Sequence, residues 1–204
     1  MTGLELSLAA VRRALHAQPG QRLPDQVRSR AAVAMILRSA GAGLELLLIR
    51  RAEHPRDPWS GQMAFPGGRA EPADADLSET ATREVSEEIG VDLAQAGELF
   101  GSLDELRAMA RLRPMDLTIQ PFVFGLQRDI VAEAREEVES VHWLPLEALF
   151  APEAHSNLEY RHEGQTLLFP CLRHDGLVIW GLTYHMLQGL EQRLRRHAGA
   201  PGTG

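Results

Sequence analysis

The chain has 204 residues, 44% of them hydrophobic and 24% charged, which suits one globular core of ordinary composition. Its formal net charge of −7 argues against a general nucleic-acid-binding surface, and its single cysteine excludes an internal disulfide. No N-terminal signal pattern occurs, and no apolar run approaches the roughly 20 residues that a membrane helix needs. We therefore expect a cytoplasmic protein without a nucleic-acid or membrane partner, folded as a single domain over residues 1–204.

Helical and extended patterns follow one another in the first half of the chain. Residues 4–16 have apolar side chains at helical spacing, and with the segment that follows they predict an N-terminal helix and linker over residues 1–28. Residues 31–37 and 44–49 are apolar and β-rich, and the Ala/Gly-rich segment between them predicts a hairpin. A second helix is predicted from Leu77 to Gly90, because Asp76 and Glu79 form a capping-box pattern before it.

Strand patterns predominate in the second half. Residues 97–106 and 117–126 predict strands joined by a mobile connection, and Pro121 predicts that the later strand lies at an edge or contains a bulge. Residues 141–149 predict a strand that runs into a short helix, and residues 159–180 predict two hairpin segments. A last helix through Leu194 and a flexible tail over residues 198–204 complete the chain. The mixture of elements indicates an α/β fold.

The predicted second helix carries a cluster of carboxylates. Positions four apart share a helix face, so Glu84 and Glu88 project together with Glu87 beside them, and Arg83 is spaced to reach both Glu79 and Glu87. Three carboxylates so close repel one another unless a cation lies among them, and hard oxygen ligands favour Mg²⁺ or Mn²⁺. The alternative interpretation is a solvated helix face, but here a Gly-Gly loop precedes the acidic run at short range.

An irregular loop rich in arginine leads to this helix. Residues 65–68, Phe-Pro-Gly-Gly, give an extended entry and then backbone without Cβ atoms, so a ligand can approach Gly67 and Gly68 closely. Arg51, Arg56 and Arg69 either hold phosphates, since guanidinium matches phosphate oxygens in a bidentate fork, or are solvated loop charges.

Residues 68–91 resemble the Nudix box, G-x5-E-x7-R-E-U-x-E-E-x-G-U, where U is aliphatic. The matching residues are Gly68, Arg83, Glu84, Val85, Glu87, Glu88, Gly90 and Val91. The interval from Gly68 to Arg83 is one residue longer than the pattern, and the expected first glutamate falls on Ala75, which is flanked by Asp74 and Asp76.

The resemblance implies the Nudix fold, in which a mixed β-sheet is sandwiched between α-helices. It also implies diphosphate hydrolysis with Mg²⁺ or Mn²⁺ held by Glu84, Glu87 and Glu88. For the carboxylate that removes a proton from the attacking water, the resemblance favours Glu87 or Glu88. Glu137, in the acidic segment 132–139, is the candidate outside the box, and the alternative is that this segment is an exposed acidic loop.

Residues 46–68 are similar to a second motif, that of the coenzyme A pyrophosphatase branch, roughly L-L-x-x-R-[SA]-x3-R-x3-G-x3-F-P-G-G. The matching residues are Arg51, Ala52, Arg56, Gly61 and residues 65–68, with one additional residue between Arg56 and Gly61. The W-G-x-T segment that begins at Trp180 resembles the end of the same branch. Trp180 and Tyr184 either line the substrate pocket or pack in the core, and Trp59 either stacks on a base or pins its loop.

This second resemblance implies hydrolysis of coenzyme A, or of its acyl or oxidised derivatives, to 4′-phosphopantetheine and adenosine 3′,5′-bisphosphate. Substrate-binding groups would be Arg51, Arg56, Arg69, Gly67 and Gly68. One alternative is a Nudix hydrolase of another nucleoside diphosphate-linked compound, such as ADP-ribose. A second is the hydrolysis of oxidised nucleoside triphosphates, which the arginine-rich motif disfavours, and a third is a non-catalytic ligand-binding module. The protein is expected to be a monomer or a homodimer.

Overall fold

The fold is built on two β-sheets, and a computed structural model describes residues 4–24, 27–55, 57, 59–110, 113–162 and 164–199 of it. Within these residues one sheet has eight strands: β1 (Ser29–Ala40), β2 (Gly43–Arg51), β3 (Met63–Ala64), β4 (Gly67–Arg69), β5 (Gly97–Ser102), β6 (Leu106–Ala110), β7 (Arg113–Leu126) and β8 (Val138–Pro145). The other has three: β9 (His155–His162), β10 (Gln165–His174) and β11 (Leu177–Trp180). The α-helices are α1 (Leu8–Ala17), α2 (Leu77–Ile89), α3 (Leu93–Ala96), α4 (Leu146–Phe150) and α5 (Gly181–Gly199).

The larger sheet is mixed. Its main path runs β3-β2-β1-β7-β5, while β4 pairs with β1, β6 with β7 and β8 with β2. Strands β1 and β7 are parallel, and the other pairs are antiparallel. The hairpin predicted from residues 31–37 and 44–49 is confirmed as β1 and β2, which pair from Ala40 opposite Gly43.

Two hydrophobic clusters lie on opposite faces of this sheet. Along β1, Ala34 and Ile36 belong to the cluster formed with α2, whereas Met35 and Leu37 belong to the cluster that contains buried residues of α1 and α5. Side chains of a strand alternate between faces, so one apolar strand serves both cores. The predicted α/β fold, with a mixed sheet between helices, is confirmed.

Helix α2 begins and ends where local sequence signals predicted. Asp76 Oδ1 accepts hydrogen bonds from the backbone N–H groups of Ser78 (2.8 Å) and Glu79 (3.0 Å). Gly90 ends the helix with a φ of 72°, a left-handed conformation that costs glycine little. The carboxylate of Glu79 accepts from the backbone N–H of Ala75, so the reciprocal bond of the capping box is displaced by one residue.

Of the two alternatives predicted for the strand that contains Pro121, an edge position or a bulge, the edge position is wrong. Strand β7 is central, with β1 on one side and β5 and β6 on the other. Pro121 fits there because its carbonyl accepts from the N–H of Leu103, in the connection between β5 and β6. On that side of β7 no ladder N–H is required at this point. The segment 107–114, predicted as a mobile connection, contains most of β6 and the start of β7; residues 111–112 lie outside the described residues.

The chain ends also differ in detail from expectation. Helix α1 begins at Leu8 rather than near Leu4, because Ser7 Oγ accepts from the N–H of Ala10 and caps the helix. Helix α5 continues through Gly199, so the predicted tail begins two residues too early, and residues 200–204 lie outside the described part. None of the described helices combines the length and the apolar character of a membrane span. A single domain over the whole chain remains a prediction.

Candidate active site

The acidic face of α2 is organised by an arginine. Arg83 Nη1 lies 3.0 Å from Glu84 Oε1 and 2.9 Å from Glu87 Oε2. The three carboxylates differ in environment: Glu87 has 58% of its side chain exposed, Glu84 has 16%, and Glu88 is buried. The carboxylate cluster predicted from helical spacing is therefore present, and the exposure of its side chains falls from Glu87 to Glu84 to Glu88.

Asp74 holds the other side of the Arg83 guanidinium. Arg83 Nε donates to Asp74 Oδ1 (3.0 Å) and Nη2 donates to Oδ2 (3.2 Å), while the Glu71 N–H and the Thr80 hydroxyl also donate to Oδ2. The bonds from Arg83 hold the pKa of Asp74 well below its usual range. The predicted contact between Arg83 and Glu79 is therefore wrong, because the carboxylate of Glu79 accepts from the Ala75 N–H instead.

This contact explains the altered spacing of the box. Asp74 is the sixth residue after Gly68, which is the spacing that the pattern gives to its first glutamate, and the extra residue lies between Asp74 and Arg83. Asp76 has a different role: it caps α2, and the hydrogen bond from Ser78 lowers its pKa. Of the two aspartates that flank Ala75, Asp74 therefore belongs to the site and Asp76 belongs to the helix terminus.

Glu88 is the buried member of the cluster. Its side chain is only 4% exposed; Oε2 accepts from the Gly67 N–H (2.9 Å), and Oε1 lies 4.0 Å from Arg51 Nη1. Burial raises the pKa of Glu88 to about 8, and the charges of Glu84 and Glu137 act in the same direction. Burial also raises the pKa of Glu84. Glu88 is thus hydrogen-bonded to Gly67, and its raised pKa gives it a proton affinity that suits acid–base chemistry near neutral pH.

Gly67 and Gly68, the first two residues of β4, make room for these contacts. Gly67 has a φ of 153°, and a Cβ there would lie 2.2 Å from the carbonyl oxygen of Ala32 in β1. At Gly68 a Cβ would lie 2.4 Å from Glu84 Oε1. The start of β4 therefore lies close to both β1 and the carboxylates, and the N–H of Gly67 donates its hydrogen bond to Glu88. Both glycines line the same cleft, as a substrate-binding role requires.

The predicted phosphate-binding arginines have different surroundings. Arg51 donates from Nε to Asp57 Oδ2 (2.8 Å), and its Nη2 lies 2.8 Å from the same oxygen, so Asp57 fixes it beside Glu88. Arg69 is exposed at the cleft, with Nη1 3.4 Å from Ser29 Oγ. Arg56 lies outside the described residues. Motif reasoning did not identify Asp57, whose pairing depends on how its loop folds back onto β2.

Glu137 reaches the cleft from the segment that precedes β8. Its backbone carbonyl accepts from the N–H of Ala52 (3.0 Å), which ties this segment to the end of β2. Its side chain lines the cleft, and its charge contributes to the raised pKa values of Glu84 and Glu88. The structure therefore brings Glu137 into electrostatic reach of the box carboxylates.

One cleft of about 480 Å³ is lined by most of these groups, but not by Glu88 or Asp74. Its polar lining contains Arg51, Asp57, Gly67, Gly68, Arg69, Glu71, Arg83, Glu84, Glu87 and Glu137. Its apolar lining contains Val33, Trp59, Met63, Phe65, Leu117, Ile119, Leu182 and Met186. Apart from Phe65, no sequence motif predicts this apolar lining, because Val33, Leu117, Ile119, Leu182 and Met186 come from β1, β7 and α5, which are far apart in the chain.

Aromatic residues divide between the cleft and other places. Trp59 lines the cleft and also pins its loop, because its Nε1 donates to the carbonyl of Met109 (3.1 Å). The lining among the described residues does not include Trp180 or Tyr184. Trp180 packs on Tyr160 in the three-stranded sheet, with ring centroids 5.6 Å apart.

The chemistry of the carboxylates fits a hard divalent cation. In the described part of the chain, no three His, Cys, Asp or Glu side chains are grouped as metal ligands, and Arg83 is the cation beside Glu84 and Glu87. Yet burial raises the pKa values of Glu84 and Glu88, and the charge of Glu137 acts on both in the same direction, so these anionic oxygens lack sufficient positive charge around them. Mg²⁺ and Mn²⁺ prefer such oxygens, and a turn of Glu84 or Glu87 away from Arg83 would free ligands.

Comparison with known proteins agrees with this arrangement. The model of the NUDIX domain family matches residues 27–163. The uncharacterized Nudix hydrolase NudL of Yersinia pestis (strain Pestoides F) is 31% identical over 150 residues, which are 73% of this chain and 72% of NudL. Among solved structures, the Nudix hydrolase RenU from M. smegmatis shares the fold, with a TM-score of 0.50 at 14% identity over 87% of this chain and 90% of RenU. The chain therefore belongs to the Nudix hydrolase family.

Proposed function

We propose that this protein hydrolyses the diphosphate bond of coenzyme A, or of its acyl or oxidised derivatives, to 4′-phosphopantetheine and adenosine 3′,5′-bisphosphate. The observation that carries the proposal is the mixed lining of one cleft, which contains carboxylates, arginines, Gly67 and Gly68 together with a set of apolar side chains. A diphosphate joined to a flat base and a long, weakly polar arm presents both kinds of surface to such a lining. The similarity of residues 46–68 to the coenzyme A pyrophosphatase motif supports the choice of substrate.

In the proposed reaction, water attacks one phosphorus of the diphosphate and the bond to the bridging oxygen breaks. Glu84, Glu87 and Glu88 would hold Mg²⁺ or Mn²⁺, which neutralises phosphate charge and lowers the pKa of bound water. A carboxylate accepts the proton of the attacking water. Glu87 and Glu137 line the cleft and are candidates for this task. Glu88 is the third candidate: its pKa is raised to about 8 by burial, and it is not among the residues that line the cleft.

Arginines at the cleft would bind the phosphates that do not react. Arg69 is the exposed one, and its guanidinium can turn toward a ligand at the rim, so we assign it the 3′-phosphate. Arg51 is held by Asp57 and Glu88, and its charge is directed to the interior of the site. Arg56 belongs to the proposed substrate-binding set on the strength of the motif alone.

A hydrolysis panel with Mg²⁺ tests the proposal. The panel contains coenzyme A, dephospho-coenzyme A, ADP-ribose, a dinucleoside polyphosphate and a deoxynucleoside triphosphate, with products identified by mass. We expect preference for coenzyme A over its dephospho form. Preference for ADP-ribose or another member would retain the hydrolase and refute the coenzyme A assignment, and turnover of none would favour a ligand-binding module.

The role of Arg69 has its own test. Arg69→Ala should raise KM for coenzyme A about tenfold and leave KM for dephospho-coenzyme A nearly unchanged, since one charge-assisted hydrogen bond contributes about 1.5 kcal/mol. Arg128→Ala removes another exposed arginine that does not line the cleft and serves as the control. Equal effects of Arg69→Ala on both substrates would remove Arg69 from the 3′-phosphate site.

A substrate of this kind suits the cytoplasm, which we retain as the proposed location.

A further inference from the structure

The three-stranded sheet has an open edge. Its order is β11-β10-β9, so β9 pairs with β10 on one side, and no strand of the described chain covers its other side. An edge strand of eight residues presents a row of peptide groups that can pair with another strand.

The side chains of β9 differ between its two faces. Glu159 and Arg161 lie on the exposed face, and neither makes an ion pair within the described residues. On the other face, Tyr160 is half-buried and contacts Phe169 and Trp180, with ring centroids 5.9 Å and 5.6 Å away. The strand thus joins two unpaired opposite charges with an aromatic surface that is only partly covered.

We propose that β9 pairs in antiparallel fashion with β9 of a second copy of this chain, with the two-fold axis at Tyr160. In this register Glu159 of each copy lies opposite Arg161 of the other copy. The dimer therefore contains two Glu159–Arg161 pairs. Directly opposite residues of antiparallel strands have their side chains on the same face within contact distance. Tyr160 lies opposite its own copy and makes the two aromatic surfaces continuous.

Charge complementarity selects this register. Antiparallel pairing about a two-fold axis places a residue at the axis opposite itself. Moving the axis to Glu159 sets two glutamates opposite each other, and moving it to Arg161 sets two arginines opposite each other. Like charges directly opposite are destabilising, and opposite charges are stabilising. Of the three axis positions from Glu159 to Arg161, the one at Tyr160 is therefore the one that sets opposite charges against each other.

Charge reversal tests the dimer. Glu159→Arg gives a strand with arginine at both positions, and Arg161→Glu gives one with glutamate at both, so each variant faces only like charges in its own dimer. The double variant E159R/R161E restores opposite pairs, and an equimolar mixture of the two single variants does so in a heterodimer. Sedimentation velocity of the full chain over a range of concentrations measures the association.

We expect a wild-type dimer, at least tenfold weaker association of each single variant, and recovery both in the double variant and in the mixture. Glu133→Arg reverses an exposed charge outside β9 and should leave the dimer unchanged. Circular dichroism confirms that each variant is folded. A monomeric wild type would overturn the proposal. So would a dimer that is insensitive to the single reversals, or one that neither the double variant nor the mixture restores.

Discussion

Replacement of Glu88 by glutamine removes the buried carboxylate of the α2 cluster and retains an acceptor for the Gly67 N–H. Burial raises the pKa of Glu88 to about 8, from 4.5 for an ordinary glutamate. Between these values the folded protein keeps the proton and the unfolded chain loses it. The folded state therefore binds more protons, and the free energy of unfolding falls as pH rises from 4.5 toward 8.

The size of this effect follows from linkage. One proton contributes roughly 1.4 kcal/mol per pH unit, so the wild type should lose about 3 kcal/mol relative to Glu88→Gln between about pH 5.5 and about pH 7.5. The comparison with the variant cancels the other titrating groups. Asp74, whose pKa is lowered, acts at lower pH: its stabilisation is lost only as pH falls below the usual range of an aspartate.

Urea unfolding in the presence of a chelator measures the difference, with fluorescence of the three tryptophans as the signal. Glu133→Gln, at an exposed glutamate, is the control and should leave the pH dependence unchanged. Addition of Mg²⁺ at about pH 7.5 should stabilise the wild type more than Glu88→Gln, because binding favours the folded state. The variant should also lose most of its turnover. A difference between wild type and variant that does not change with pH would refute the reasoning.

Two further substitutions have matched controls. Asp74→Asn should lower kcat and destabilise the protein by about 2 kcal/mol, because it weakens a charge-assisted pair with a guanidinium, while Asp76→Asn keeps a good helix cap and should change little; equal effects of the two in urea unfolding and kinetics would contradict the distinction. Gly68→Ala should lower kcat at least tenfold, because its Cβ would lie 2.4 Å from Glu84. Gly43→Ala meets no atom within 4 Å and should keep its activity, so similar kinetics of both variants would be the contrary result.

Local signals predicted the elements that carry the carboxylates. Asp76 and Gly90 fix the two ends of α2, and the period of the helix then places Glu84, Glu87 and Glu88 together, so short-range information is sufficient. The β1–β2 hairpin was predicted for the same reason. Pro121 misled because an N–H missing from a central strand is tolerated where the neighbouring ladder is interrupted, which depends on the β5–β6 connection.

The rest of the site depends on contacts between distant parts of the chain. Leu117 and Leu182 line the same cleft although they belong to β7 and α5, and no sequence period relates them. Asp57 accepts a hydrogen bond from Arg51 only because the loop after β2 folds back onto that strand. Counting forward from Gly68, rather than back from Arg83, places Asp74 at the position of the first glutamate of the box. Its hydrogen bond from Arg83 depends on the folded structure.

Product analysis of coenzyme A after incubation with the wild type is the most direct test of the central claim. The reaction is run with Mg²⁺ and with a chelator, alongside Glu84→Gln as the inactive control, and products are identified by mass spectrometry. We predict 4′-phosphopantetheine and adenosine 3′,5′-bisphosphate in equal amounts, formed only by the wild type with Mg²⁺. Intact coenzyme A, cleavage at another bond, or the same products from Glu84→Gln would contradict it.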